Sequence, residues 1–405
     1  MSDSFDPSRF DPHDPAFQAD PYPAYAALRA GAPVALLEVR GFRFYWLSRY
    51  DDVAAALRDP RLSAKKFPDD MLAAGVPDSF RRLGELLTHM MLLKDPPDHT
   101  RLRGLVNTAF TPRVIEGLRA RAEAIVGELL DAVQPSGRMD VIRDLATPLP
   151  VIVIAELLGI AAVDRERFKH WSDDIAVVLD GSVRTAGLPA AAASCAELSE
   201  YLRGEVAARR RAPREDLLSR LIAARDHADA LSEDELIATC VLILLAGHET
   251  TTNLIGNGVL ALGRHPAELA RLRRDPQLVR GAVEEMLRFD SPVQMTSREA
   301  KEPVLLGGVR LEPGIEVNLS LGAANRDPAQ FEDPERFDVT RAPNRHLAFG
   351  LGAHFCLGAP LARLEAQAAF EAIVRRIPVW KLESEAIRRR PGLVLRGLAS
   401  LPIAF

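Results

Sequence analysis

The residue best suited to chemistry is Cys356, in the glycine-rich loop Phe349–Gly358 (FGLGAHFCLG). A helix-forming stretch follows directly, and the amide groups and dipole of a helix N-terminus favour a negatively charged thiolate. Glycines also let the backbone approach a bulky, flat ligand closely. An isolated cysteine is more often a small buried residue. The pattern of this loop specifies six residues, however, and would arise by chance on the order of once in a million such chains; they are Phe349, Gly350, Gly352, His354, Cys356 and Gly358. The loop therefore predicts a functional thiolate.

A second candidate site interrupts a long apolar helix. The stretch Ser232–Gly263 begins with a capping serine and an acidic first turn, and it stays almost wholly apolar as far as the small and polar residues Ala246–Thr252. Ile243, Gly247, Thr250 and Leu254 would share one helix face. A polar, helix-weakening patch within a buried helix favours a functional interpretation. A threonine that only caps a kink is the structural alternative.

Three competing motifs fail when one more residue is examined. His248-Glu249 could begin the zinc motif HExxH, but Thr252 stands where the second histidine is required. Gly350-Leu351-Gly352 could begin a dinucleotide fingerprint, but Phe355 takes the place of the third glycine. The sequence contains neither a GxSxG nucleophile elbow nor a phosphate loop. Zinc hydrolases, dehydrogenases and serine hydrolases therefore lose their main support.

The loop around Cys356 resembles the haem-binding loop of the cytochrome P450 family, in which this cysteine is the proximal iron ligand. Ala246–Thr250 resembles the oxygen-activation segment in the long central helix of the same family. There, glycine and threonine allow the helix to open locally and hold water or dioxygen. The resemblance implies that Glu249 and Thr250 deliver protons during O–O cleavage. It covers the chain from about Asp20 to the C-terminus.

The segment Glu285–Arg288 resembles the ExxR pair of this family. The bare spacing has little value, because it occurs five times, starting at Glu116, Glu200, Glu268, Glu285 and Glu385. Most such pairs are solvated and contribute little. Only the pair at Glu285 precedes Ser-Pro-Val and lies between the two candidate sites. Arg336 is expected to complete a buried, structural charge network with it.

Haem has two propionates, which need paired donors when they are buried. The resemblance nominates His99, Arg103, Arg298 and His354 for this role, and His99 and Arg103 are four residues apart on one predicted helix face. Each of these residues, taken singly, would be interpreted as a surface residue. The other two cysteines, Cys195 and Cys240, are interpreted as buried thiols. His346 is interpreted as an ordinary loop histidine.

The elements that must position these residues are mostly helical. Leu, Ala, Arg and Glu are abundant, and apolar residues recur at three- and four-residue spacing. The predicted helices are Pro112–Leu130, Ser194–Arg211, Ser232–Gly263, Asp275–Asp290 and Ala359–Arg376. The predicted strands are Val34–Leu37, Arg43–Leu47, Val304–Leu306 and Val317–Ser320. No linker or repeat divides the chain, so we predict one domain over residues 1–405, mostly α with small β-sheets. The resemblance implies the P450 fold, with its long central helix across the haem.

Composition limits the partners and the location. The 405 residues include 51 Lys+Arg and 56 Asp+Glu, and the formal charge of −5 argues against a nucleic-acid binder. The three scattered cysteines indicate a reducing compartment. The acidic, proline-rich N-terminus lacks a signal peptide, and the longest apolar run, Ala238–Gly247, is about half of what a membrane span needs. We therefore expect a soluble, cytoplasmic protein without a membrane anchor.

These observations predict a haem-thiolate monooxygenase. The resemblance implies haem b (iron protoporphyrin IX), a hydrophobic small-molecule substrate such as a macrolide or other polyketide, a terpenoid or a fatty acid, and electrons from a ferredoxin and a ferredoxin reductase. A monomer is expected. A peroxide-driven peroxygenase and a non-catalytic haem-binding protein are the alternatives, and the intact Glu249-Thr250 pair counts against both.

Two surfaces follow from the same resemblance. The expected pocket walls are mostly apolar, and they comprise Phe67–Leu93, Ser172–Ala193, Leu242–Thr250, Pro292–Thr296 and Gly392–Leu398. The electron donor is expected to dock near Cys356 on a basic patch, which comprises Arg101, Arg113, Arg119 and Arg121.

Overall fold

The computed structural model describes residues 10–65, 77–179, 187–225, 230–377, 379–384 and 386–405. The described part of the chain is mostly helical with small sheets, as predicted. The α-helices are α1 (Pro15–Ala19), α2 (Tyr22–Gly31), α3 (Tyr50–Ala56), α4 (Asp78–His89), α5 (Asp98–Ala109), α6 (Pro112–Glu116), α7 (Arg119–Val133), α8 (Pro148–Leu158), α9 (Arg165–Leu179), α10 (Leu188–Arg211), α11 (Leu217–Arg225), α12 (Glu233–Arg264), α13 (Pro266–Arg274), α14 (Val279–Phe289), α15 (Leu321–Ala324) and α16 (Ala359–Arg376). The strands are β1 (Val34–Val39), β2 (Phe42–Leu47), β3 (Leu62–Ser63), β4 (Arg138–Asp140), β5 (Met295–Ala300), β6 (Val304–Leu306), β7 (Val309–Leu311), β8 (Glu316–Ser320), β9 (Lys381–Leu382) and β10 (Pro402–Ala404). No helix among these residues is both long and apolar enough to cross a bilayer.

The chain divides into two compact units. The sheet unit comprises Met1–Ser63, Val126–Ala146 and Thr250–Phe405, and it contains all the strands given above. The helical unit comprises Ala64–Ile125 and Thr147–Glu249. The long helix α12 contributes to both, with Glu249 in the helical unit and Thr250 in the sheet unit. The single domain over residues 1–405 stays a prediction.

The sheet unit is built on a five-stranded sheet with the order β1-β2-β8-β5-β3. β2 and β8 run parallel, with Leu47 opposite Leu319, and the other pairs are antiparallel. Leu47 and Leu319 are fully buried in one apolar cluster of this unit. β5 carries Arg298 on this sheet, so strand pairing fixes the backbone of that candidate residue.

The helix α12 has the predicted start. The hydroxyl of Ser232 accepts a hydrogen bond from the Glu235 amide (3.2 Å), and the Glu235 carboxylate accepts one from the Ser232 amide (2.8 Å). These reciprocal bonds form a capping box, which satisfies amide groups that a helix start otherwise leaves without partners. The helix continues without a break through Ala246–Thr252.

The predicted helix Pro112–Leu130 is wrong in one respect, because it is two helices, α6 and α7. The hydroxyl of Thr111 caps the first, and Pro112 occupies its first turn. Its last turn closes at Gly117, whose amide donates to the Arg113 carbonyl (3.1 Å). A tighter turn at Leu118 then leads into α7.

Candidate functional site

The loop that ends at Cys356 is shaped by backbone hydrogen bonds. The amide of Cys356 donates to the carbonyl of Phe349 (2.9 Å), and the amide of Phe355 donates to Gly352 (3.1 Å). Gly350 and Gly352 have φ angles of +67° and +72°, in the left-handed region that favours glycine. A side chain at Gly352 would also lie 2.8 Å from the carbonyl oxygen of Leu57. These two positions therefore require glycine for the turn and for the close approach.

Cys356 differs from the other cysteines in exposure and position. It is partly exposed, and α16 begins at Ala359, three residues further on. Cys195 and Cys240 are buried, and burial raises the pKa of their thiols, to about 11 and about 12. They are confirmed as buried thiols. Partial exposure and a nearby helix N-terminus are the conditions that favour a thiolate, and Cys356 alone of these three cysteines combines them.

The candidate polar segment of α12 interrupts the burial of that helix. Residues 251–262 are buried throughout, whereas Ile243, Gly247, Glu249 and Thr250 are partly exposed and Ala246 is exposed. Several of these positions are three or four residues apart, so they form one accessible stripe. The helix thus presents a small alcohol and a carboxyl group on an otherwise apolar surface.

Gly247 has a packing role that the sequence did not reveal. A Cβ atom there would lie 2.2 Å from Cδ1 of Ile154 in α8. The absent side chain lets α8 and α12 approach each other inside the helical unit. A side chain at this position would require Ile154 to change its position.

The expected propionate partners lie on three different elements. His99 and Arg103 are on α5 of the helical unit, where His99 is buried and Arg103 is partly exposed. Arg298 on β5 and His354 in the loop belong to the sheet unit, together with Cys356 and Thr250. The Arg298 guanidinium donates to the Ser297 carbonyl (2.8 Å) and the Thr296 hydroxyl (3.2 Å), which orients the side chain.

Comparison with known proteins decides the family. A cytochrome P450 family model matches residues 191–396. Cytochrome P450 107B1 of Saccharopolyspora erythraea is 45% identical, and 6-deoxyerythronolide B hydroxylase of the same organism is 42% identical; each match covers 96% of this chain and 96% of the relative. The crystal structure of P450BioI with an acyl carrier protein ligated to hexadec-9Z-enoic acid is 39% identical with a TM-score of 0.91, covering 96% of this chain and 99% of that one. The chain belongs to the cytochrome P450 family.

Family membership makes the protein an enzyme, a P450 monooxygenase that oxidises hydrophobic small molecules, and it implies a haem cofactor. The alternative of a non-catalytic haem-binding protein therefore loses its support. The residues around Cys356 fit haem by three observations. Cys356 is a partly exposed thiol donor, glycines at positions 350, 352 and 358 let the backbone approach a flat ligand closely, and the side chain of Arg298 is buried in the same unit.

The P450 ExxR pair is confirmed at Glu285 and Arg288. Both side chains are fully buried, and the guanidinium makes two 2.8 Å hydrogen bonds to the carboxylate. The pairs starting at Glu116 and Glu200 have strongly exposed carboxylates, as expected of solvated pairs. Glu268 is instead buried and also accepts the Val339 amide. Glu385 lies outside the described residues.

The expected third member, Arg336, is wrong. Its side chain is exposed and pairs with Asp338, so only its carbonyl joins the network. Arg341 takes the role instead, since its Nε lies 3.1 and 3.2 Å from the two oxygens of Glu285. The side-chain amide of Asn344 also donates to this carboxylate (3.1 Å). The network therefore satisfies the buried charge with donors from α14 and from the loop before Cys356.

A second carboxylate, Glu284, braces the cysteine loop of this P450. Arg363 of α16 donates twice to it at 2.8 Å, and Nε2 of His346 lies 3.1 Å away. Burial raises the pKa of Glu284, but the hydrogen bonds from Arg363 and His346 outweigh burial and lower it to about 2. His346 is therefore a bracing residue with a buried side chain, and its interpretation as an ordinary loop histidine is wrong.

Glu365 is an unexpected acid on α16. It is fully buried, and burial, opposed by the Thr251 hydroxyl, raises its pKa to about 8. The carboxyl group is therefore protonated at neutral pH. A glutamate nine residues after the cysteine carries no sequence signal for burial.

The expected surfaces are the pocket walls and the docking patch of arginines. Residues 67–76 and 180–186, within two of the expected pocket walls, lie outside the described residues. The structure pairs three of the four expected docking arginines with carboxylates: Arg101 with Glu235, Arg119 with Glu116 and Arg121 with Glu156. These pairs offset part of the positive charge, and the docking of an electron donor on this patch stays a prediction.

Proposed function

We propose that this P450 binds haem b (iron protoporphyrin IX) through the Cys356 thiolate and inserts one oxygen atom of O₂ into a hydrophobic small molecule. The observation that carries this proposal is the position of Cys356, which is partly exposed just before α16 and is held by the hydrogen bond from its amide to the Phe349 carbonyl. When bound, the haem supplies the O₂ chemistry, and thiolate ligation favours O–O cleavage.

The propionates of the haem would be bound by His99, Arg103, Arg298 and His354. Arg298 is the best supported of these, because its guanidinium is nearly buried and oriented by two hydrogen bonds. A buried cation is stabilised by an anion beside it, and a guanidinium binds a carboxylate with two parallel bonds.

Glu249 and Thr250 would deliver protons. The accessible stripe of α12 supports this role, because both side chains reach beyond the buried part of the helix. The Thr250 hydroxyl can hold a water molecule in place by accepting or donating a hydrogen bond. The Glu249 carboxyl can take a proton from solvent and pass it to that water.

The substrate class proposed is a macrolide or other polyketide, a terpenoid or a fatty acid. Two relatives support the polyketide and fatty-acid parts of this range, since one is named a 6-deoxyerythronolide B hydroxylase and P450BioI holds hexadec-9Z-enoic acid on a carrier protein. The candidate wall Leu242–Thr250 is apolar apart from His248 and the final acid and alcohol. Such a surface binds an apolar molecule with few charges.

Electrons would come from a ferredoxin and a ferredoxin reductase, to a monomeric enzyme in the cytoplasm. A peroxide-driven peroxygenase is the alternative, and the Glu249-Thr250 pair favours the monooxygenase.

Two measurements on the haem-loaded enzyme test this proposal. A library of macrolides, terpenoids and fatty acids is first screened for shifts of the haem Soret band. A binder is then incubated with NAD(P)H, ferredoxin and reductase, or with hydrogen peroxide alone. The proposal expects oxygenated product with the ferredoxin system. Product with peroxide only would support the peroxygenase instead.

A further inference from the structure

His248, one residue before the proposed acid, joins α12 to α9 inside the helical unit. Its Nδ1 lies 3.0 Å from the Leu244 carbonyl and 3.3 Å from the Ser172 hydroxyl, and its Nε2 lies 3.5 Å from the carboxylate of Asp173. Both nitrogens of the ring therefore have polar partners, and two of the three partners lie on α9.

These three side chains resemble a Ser-His-Asp triad, but they cannot act as one. Ser172 is completely buried and His248 is 2% exposed, so a substrate cannot reach the hydroxyl. The ring nitrogen near Ser172 is also engaged with the Leu244 carbonyl. The arrangement is therefore a connection between helices.

The carboxylate at the outer end of this connection is itself held in place. The Lys169 ammonium donates to Asp173 (2.5 Å) from one turn earlier on α9. Burial raises the pKa of Asp173, but the hydrogen bonds from His248 and Lys169 outweigh it and lower the pKa. Asp173 is thus a charged acceptor that is fixed from both sides, although its side chain is 41% exposed.

We infer that His248 is a positioning residue, which fixes the rotation of α12 where Glu249 and Thr250 follow. The imidazole of His248 gives this turn a lateral attachment to Ser172 and Asp173 of α9. The direction of successive helical side chains depends on the rotation of the turn that carries them. This inference rests on the proposed roles of Glu249 and Thr250.

The link itself is tested by a double-mutant cycle on thermal unfolding of the haem-loaded enzyme. The variants of the cycle are His248→Phe, Asp173→Ala and the double variant. His248→Gln is added as a conservative replacement, because a glutamine side chain can still form a hydrogen bond to α9. His170→Phe is the matched control, because His170 lies on α9 beside Asp174 but is 72% exposed. We expect the two changes to be non-additive, since each breaks the same link. Additive effects would overturn the connection.

Positioning is tested by the infrared C–O stretching band of the ferrous carbon monoxide complex, which responds to the groups that face the bound gas and needs no substrate. Thr250→Ala should shift the band. His248→Phe and Asp173→Ala should shift or broaden it, His248→Gln less so, and His170→Phe should leave it unchanged.

The outcomes separate the two proposals. A band that moves with Thr250→Ala but not with His248→Phe overturns the positioning role alone. A band that does not move with Thr250→Ala contradicts the proposed role of Thr250, and the positioning inference fails with it. A His170→Phe effect as large as that of His248→Phe would mean that any change on or near α9 disturbs the site, and it would overturn the specific role of His248.

Discussion

The guanidinium of Arg363 lies over the ring of Phe349, with its central carbon 4.5 Å from the ring centroid. The same guanidinium is fixed by the carboxylate of Glu284, and the Phe349 carbonyl accepts the amide of Cys356. The two residues thus connect α16 to the loop in which the proposed iron ligand lies. A cation over an aromatic face adds about 0.5–2 kcal/mol, depending on how far it is desolvated.

Replacing Arg363 with methionine should loosen the cysteine loop, because both the ring contact and the pair with Glu284 are lost. The ferrous carbon monoxide complex should then lose its red-shifted Soret band faster on warming. Arg375→Met on the exposed side of the same helix is the control. Equal rates of loss in the two variants would contradict the bracing role.

The buried ExxR network should not tolerate the loss of one member. Glu285→Ala leaves the buried Arg288 guanidinium without its carboxylate, at a cost of about 3–5 kcal/mol, and Arg341→Ala removes one of the two guanidinium groups that pair with the buried Glu285. We expect little haem-loaded protein from either variant. Glu200→Ala and Arg336→Ala should load haem normally, because those side chains are exposed. Normal haem content in Arg341→Ala would show that Arg341 does not belong to the network.

Glu365 should make the enzyme less stable as the pH rises. Below about 4.5, the ordinary pKa, the carboxyl is protonated in both the folded and the unfolded states. Between about 4.5 and about 8 the unfolded chain releases this proton while the folded protein keeps it, so stability falls with pH. Each pH unit in this window changes the folding equilibrium about tenfold.

The measurement is the unfolding midpoint of Glu365→Gln and of the wild type at several pH values from 5 to about 8. As the pH rises, the unfolding midpoint of Glu365→Gln should increase relative to that of the wild type. Glu371→Gln, at an exposed position of α16, is the matched control. A difference that does not change with pH would mean that Glu365 ionises normally.

Much of the fold could be predicted because its signals are local. The bounds of α16 and β6 match the prediction, and those of α12 differ from it by only one residue at each end. The start of α12 could be predicted because its capping box consists of residues close together in the sequence. The Gly117 break was missed because the apolar spacing continues across it. α10 begins six residues before its prediction, at Leu188, in an alanine-rich stretch without a polar start signal.

The cysteine loop could be predicted for a different reason, since its residues are adjacent along the chain. The residues that hold this loop in place could not be predicted, because they come from distant segments of the chain. Glu284 and Arg363 are 79 residues apart, and sequence spacing does not say which arginine of a loop returns to a buried carboxylate. For this reason Arg336 was expected to pair with Glu285, although Arg341 is the residue that does so.

Thr250→Ala should separate oxygen consumption from product formation. Without the hydroxyl, the water that supplies protons is no longer held, so partly reduced oxygen leaves as hydrogen peroxide while NAD(P)H consumption continues. Glu249→Gln should instead slow turnover by obstructing proton supply. NAD(P)H, peroxide and product are measured together with a substrate found by the spectral screen. Unchanged coupling in Thr250→Ala would mean that protons arrive by another route.

The most direct test concerns the proposed ligand, Cys356. The Soret band of the ferrous carbon monoxide complex is recorded for the wild type, Cys356→His, Cys195→Ser and Cys240→Ser. The red-shifted band of thiolate ligation should be present in the wild type and in both variants of the buried cysteines, and absent from Cys356→His. A red-shifted band that survives the loss of Cys356 would contradict the assignment of the iron ligand.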